Sequence, residues 1–199
     1  MSFFATVWEG IKATSIVEWL AVASNILYII LAAKRLILCW LFAIIGSALF
    51  VYLCFIGELY IESILQLFYV AMAIVGWVTW NHAKAKEVTL KKWELKKHLI
   101  NILASGFVAV ALGYLFDTYT NQANPYIDAF TTVYSLAATF MVTQKIVENW
   151  IYWIVIDLVS IYLYAQRDYN LTAVQYILFT VLAVFGFVAW QKAYKKQIL

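Results

Sequence analysis

The sequence predicts an all-α membrane protein with seven transmembrane helices, and three observations predict it. Hydrophobic residues make up 65% of the chain and charged ones only 13%. Soluble domains run near 45–50% and 25%, so this chain has too little polar surface for water. Seven apolar stretches are long enough to cross roughly 30 Å of hydrocarbon as helices. Finally, the basic residues segregate to one side once those seven spans are drawn.

The spans are expected at 16–33, 37–56, 61–80, 98–118, 125–142, 149–165 and 172–190. Each run is continuous rather than alternating, which disfavours barrel strands. Pro125, the single proline, opens the fifth span, where a proline is tolerated. No cleavable leader is expected, because residues 1–15 carry Glu9 and Lys12 and lack an apolar core bounded by small residues. Cys39 and Cys54 both lie inside apolar runs and read as small apolar residues rather than a disulfide framework.

Twelve of the fourteen basic residues share one face: Lys34 and Arg35, then Lys84, Lys86, Lys91, Lys92, Lys96 and Lys97, then Lys145, then Lys192, Lys195 and Lys196. The other face holds Lys12 and Arg167. The rule that cytoplasmic loops are positive then puts the N-terminus outside and the C-terminus in the cytoplasm of a bacterial inner membrane. The loop 81–97 alternates lysines with Val88, Leu90, Trp93 and Leu95. It reads either as a basic amphipathic segment on the headgroups or as a solvated linker.

A shift of 110 residues superimposes spans one to three on spans five to seven without a gap. Glu18 then falls on Asp128, Asn25 on Ser135, Trp40 on Trp150, Glu58 on Asp168, Gly76 on Gly186 and Trp80 on Trp190. The chain divides into a three-helix repeat (1–80), the basic loop (81–97), a linking helix (98–118) and a second three-helix repeat (125–199). The single linking span gives both triplets the same orientation, so their axis should run along the membrane normal. A solute site is then expected near mid-membrane between them.

Asp157 lies near the middle of the sixth span, two turns from Trp150. A carboxylate at that depth is costly unless it faces a cavity or a partner. No lysine or arginine lies at comparable depth, so a bound cation, a proton or water must satisfy it. Trp150, Trp153, Asp157 and Tyr164 share one helix face, and so do Gln66, Ala73, Trp77 and Trp80 of the third span. Aromatic faces stack on planar rings and attract cations. Gln66, Trp77, Trp80, Trp150, Trp153, Asp157 and Asn25 are the candidate substrate-binding residues. An interfacial aromatic belt also accounts for Trp40, Trp80, Trp150 and Trp190. Glu18, Thr131, Ser135, Thr139 and Gln175 either line the cavity or bond between helices. No phosphate-binding glycine loop, nucleophile elbow or zinc motif is present, so neither ATP coupling, an enzyme nor a cofactor is expected.

Gln66 with Gly76-Trp77-Val78-Thr79-Trp80, and Lys145 with Glu148-Asn149-Trp150-Ile151-Tyr152-Trp153 and Asp157, resemble the third and sixth helices of the PnuC vitamin transporters; Leu171-Thr172-Ala173 before the last span fits as well. The resemblance covers the whole chain. It implies facilitated diffusion of a water-soluble vitamin, trapping by a cytoplasmic kinase, a homotrimer, and a site between the repeats of each protomer. The nicotinamide riboside members carry asparagine where this chain has Ala73 and Asp157. A carboxylate suits a cation with amine donors, so thiamine is favoured here, with nicotinamide riboside as the alternative. Proton coupling through Asp157 and a non-transporting membrane subunit stand as competing readings.

Overall fold

The computed structural model describes residues 3–57, 60–81, 89–120, 124–167 and 169–199, with the side chains of 3 and 60–62 left aside. Among the described residues it is all-α, with eight helices: α1 (Phe3–Ala13), α2 (Ile16–Ala33), α3 (Cys39–Ile56), α4 (Tyr60–Asn81), α5 (Leu95–Tyr119), α6 (Pro125–Thr143), α7 (Asn149–Gln166) and α8 (Asn170–Gln197). Glu58 and Asp168, paired by the 110-residue shift, lie outside the described residues, as do His82, Lys84, Lys86 and Val88.

Five helices among the described residues are long and apolar enough to cross a membrane: Ile16–Ala33, Cys39–Ile56, Ser63–Asn81, Leu95–Tyr119 and Asn170–Gln197. Their outward surface is apolar; Phe107 on α5 is 78% exposed. Helices satisfy their own backbone hydrogen bonds, which is what hydrocarbon demands. α6 and α7 match the expected fifth and sixth spans in position but are less apolar, because they carry Asp128, the threonines and Asp157.

Two boundaries differ from expectation for identifiable reasons. α1 is an additional helix ahead of the first span. It is too short to cross a bilayer, and its Gly10 packs on Leu171 beside α8. Ser15 ends it by capping α2, its hydroxyl accepting from the Glu18 N–H at 3.2 Å. At the other end α8 runs seven residues past the expected 190, through Lys192, Lys195 and Lys196. Apolarity marks where a helix leaves lipid, not where its backbone stops.

The helices close into a ring. α2, α3 and α4 pack in sequence, as do α6, α7 and α8; α2 then meets α8, and α4 meets α6, while α5 packs on α6. Four tryptophans seal one end. Trp40 lies over Gly76 and Trp150 over Gly186, and a methyl group on either glycine would run into the indole. Trp80 meets Trp40 edge-on at 5.2 Å, Trp190 meets Trp150 edge-on at 5.5 Å, and Trp80 and Trp190 meet at 6.1 Å. The Trp80 indole donates to the Thr143 carbonyl at the end of α6, and the Trp190 indole to the Ala32 carbonyl at the end of α2. Trp40, Trp80 and Trp190 are therefore core residues packed on one another rather than a lipid-facing belt. The turns beside them also correspond. Arg35 and Lys145 sit in the left-handed region, at φ 60° and 64°. The next amide reaches five residues back in each, Leu36 to Leu31 and Ile146 to Met141, both at 3.0 Å.

Residues 89–94 pass beneath the tryptophans as an extended strap. Leu90 is 2% exposed and belongs to the same buried cluster. The Lys91 amide donates to Lys145 and its carbonyl accepts from Val147, both at 2.9 Å. Gln197 holds both backbone groups of Leu90, at 2.8 and 2.9 Å. This part of the loop thus turns its apolar residue into the protein, not onto headgroups or into water. Lys145, buried below the strap, has its ammonium pKa lowered by desolvation and by neighbouring Lys91. Gln197→Ala is expected to release the strap locally. Hydrogen exchange at the Leu90 amide should speed up roughly tenfold, because two bonds worth about 1 kcal/mol each are lost or weakened.

Candidate solute-binding cavity

The ring of helices encloses a cavity of about 670 Å³. Small-molecule sites run roughly 300–1,000 Å³, so a vitamin-sized solute fits. Trp40 and Trp150, the two members of the tryptophan seal that line the cavity, form its floor. At the opposite end stand Glu18, Asp128 and Arg167. The Arg167 guanidinium donates to both Asp128 oxygens, at 2.7 and 3.4 Å, and so ties the end of α7 to the start of α6. Arg167→Met removes this charge-assisted pair. A loss of about 1 kcal/mol in stability is expected, read as a lower thermal midpoint in detergent with ligand affinity retained.

α7 supplies the most chemically distinctive wall. Trp150, Trp153, Asp157 and Tyr164 all line the cavity, as a helical face of spacings three, four and seven requires. Asp157 is 3% exposed and has no hydrogen-bonding or cationic partner among the described residues. Tyr176 of α8 stands near it and stacks on Tyr164, with ring centres 5.3 Å apart and planes 12° from parallel.

The other candidates divide between wall and core. Asn25 and Gln66 line the cavity, as do Glu18, Thr131, Ser135, Thr139 and Gln175. The Thr131 and Thr139 hydroxyls donate to their own helix, to Asp128 at 3.0 Å and to Ser135 at 2.8 Å, leaving their oxygens as acceptors. Trp77 and Trp80 are absent from the wall. Trp80 is held in the tryptophan seal, and Trp77 packs against the same cluster. On α4 the inward face is instead Gln66, Tyr69 and Ala73. Tyr28, Tyr69 and Tyr176 are wall residues that the sequence reading missed. Tyr69 follows Gln66 by three and precedes Ala73 by four, so helical spacing alone could have found it.

A ring of apolar helices around an aromatic and acidic cavity is the architecture of a multi-pass membrane transporter. The family model described as nicotinamide mononucleotide transporter matches residues 15–192, and the chain belongs to that family of vitamin transporters. It is 27% identical to the nicotinamide riboside transporter PnuC of Escherichia coli strain K12, over 87% of this chain and 84% of that one. It is 26% identical to the nicotinamide riboside transporter PnuC of Neisseria mucosa, over 98% and 83%, and 29% identical to the riboflavin/roseoflavin transporter RibM of Streptomyces davaonensis, over 86% and 84%. The crystal structure of the vitamin B3 transporter PnuC shares the fold, with a TM-score of 0.76 over 98% of this chain and 90% of that one, at 24% identity.

Proposed function

We propose that this protein carries a flat, cationic heteroaromatic vitamin across the membrane by facilitated diffusion, with nicotinamide riboside as its substrate. The observation that carries the reading is Asp157, a buried carboxylate on the wall of an aromatic cavity with no hydrogen-bonding or cationic partner among the described residues. A cationic pyridinium ring stacked on Trp153 or Tyr176 would supply the missing charge and use the ring faces. Asn25, Gln66 and Gln175 would then bond the ribose hydroxyls and carboxamide. Thiamine, which Asp157 and Ala73 favour on the sequence alone, takes second place. The relatives described above bear nicotinamide riboside and riboflavin names, and both thiamine and nicotinamide riboside satisfy the charge argument.

In this reading α2 to α8 are seven spans, arranged as two parallel three-helix repeats joined by α5. The recurrence of the Trp–Gly contacts and left-handed turns at a separation of 110 residues supports it. The lysine-rich face with the strap is cytoplasmic, and α1 lies at the outer surface. The protein assembles as a homotrimer with one site per protomer, and a cytoplasmic kinase traps the product.

Titration of the purified protein, followed by tryptophan fluorescence, tests the substrate. Nicotinamide riboside, thiamine and riboflavin are added in parallel. Saturable quenching by nicotinamide riboside is expected, because Trp150 and Trp153 line the cavity. Saturation by thiamine alone would replace the assigned substrate, and no response to any of the three would sink the assignment.

A further inference from the structure

A second cavity, of about 600 Å³, opens on the surface where α5 leaves the strap and packs on α6. Lys91, Lys92 and Lys97 line its outer part, and Ile100 and Phe140 its inner part, with no carboxylate among its lining residues. The lysines are solvent-exposed, and Ile100 and Phe140 are 57% and 49% exposed on the apolar flank of the helices. Cation and hydrocarbon surface thus follow one another along α5, from Lys97 one helical turn inward. A buried amide lines the same cavity: among the described residues the Asn101 Nδ2 has no hydrogen-bond partner. The frame is rigid, because Lys91 is pinned by its two backbone bonds to Lys145 and Val147. Lys92 is held over the Tyr194 ring at 5.2 Å.

We propose that this cavity binds an anionic phospholipid, its phosphate among Lys91, Lys92 and Lys97 and an acyl chain along Ile100 and Phe140. A headgroup oxygen accepts from the orphaned Asn101 amide, whose burial without a partner is otherwise a cost. With no carboxylate among the lining residues, the three lysines select negative charge, and the apolar inner part selects a lipid over a free anion. The site is separate from the vitamin cavity and does not depend on what that cavity carries.

Native mass spectrometry of the purified full chain, with phosphatidylglycerol and phosphatidylcholine offered in equal amounts, tests this. Phosphatidylglycerol adducts should be retained roughly fivefold or more over phosphatidylcholine. The exposed pair Lys92→Gln/Lys97→Gln should bring the two lipids to near parity. Lys12→Gln, at the opposite end of the molecule, should leave the preference intact. Millimolar inorganic phosphate should not displace the lipid; if it does, the ligand is a free anion and the lipid assignment fails. Equal retention of the two lipids by the wild type would overturn the proposal. So would a preference that survives the double substitution, or one that Lys12→Gln abolishes equally.

Discussion

Asp157→Ala is expected to weaken binding of nicotinamide riboside by ten- to a hundredfold while leaving the protein inserted and folded. The lost interaction is between a ligand cation and a carboxylate that is 3% exposed and has no partner among the described residues. Charge-assisted contacts of this kind contribute about 1.5–3 kcal/mol, which sets the range. Nothing in the described structure leans on Asp157, so the substitution orphans no neighbour. Removing a buried unpaired carboxylate should leave thermal stability unchanged or raised. Fluorescence titration and thermal unfolding of the same preparation separate the two effects. An unchanged affinity would remove Asp157 from the site. A collapse of stability would mean that the carboxylate has a structural partner after all.

Gly186→Ala is expected to destabilise the bundle by about 2 kcal/mol, although alanine is ordinarily the better helix residue. A Cβ there would lie 2.7 Å from three atoms of the Trp150 ring. That ring cannot yield, because Trp190 is packed edge-on against it and is itself tied to Ala32. Gly76→Ala should behave alike against Trp40, which Trp80 holds in the same way. Gly106→Ala is the control: a Cβ there would meet one atom within 4 Å, the Tyr134 hydroxyl at 3.3 Å, rather than the face of a packed indole. Thermal unfolding in one detergent should order the variants Gly106→Ala above Gly76→Ala and Gly186→Ala. Equal midpoints for all three would show that the tryptophan seal tolerates displacement.

The parts of this structure legible in the sequence are those governed by local periodicity. The helix positions follow from apolar run length, and the α7 wall from the spacing of Trp150, Trp153, Asp157 and Tyr164. The same periodicity misplaces Trp77 and Trp80. A face of α4 was read as continuous from Gln66 to Trp80, whereas the cavity ends where Trp40 crosses Gly76 and the tryptophans beyond it become core. The belt reading of Trp40 and Trp190 failed for a related reason. Composition places an indole near a helix end but does not say that other indoles meet it there. Leu90 in the strap and the Asp128–Arg167 pair depend on partners 107 and 39 residues away, which no window of sequence brings together. α1, at 11 residues, is too short for apolar run length to reveal it as a span.

Uptake into protein-loaded liposomes tests the central claim most directly, that the cavity passes a vitamin through without coupling to an ion gradient. Nicotinamide riboside should enter saturably, equilibrate without exceeding its outside concentration, exchange in counterflow with preloaded substrate, and be indifferent to a protonophore. Accumulation that collapses when the pH gradient is abolished would make Asp157 a proton carrier and contradict the passive account. Absence of any saturable flux for nicotinamide riboside, thiamine or riboflavin would contradict the transport assignment of this chain altogether.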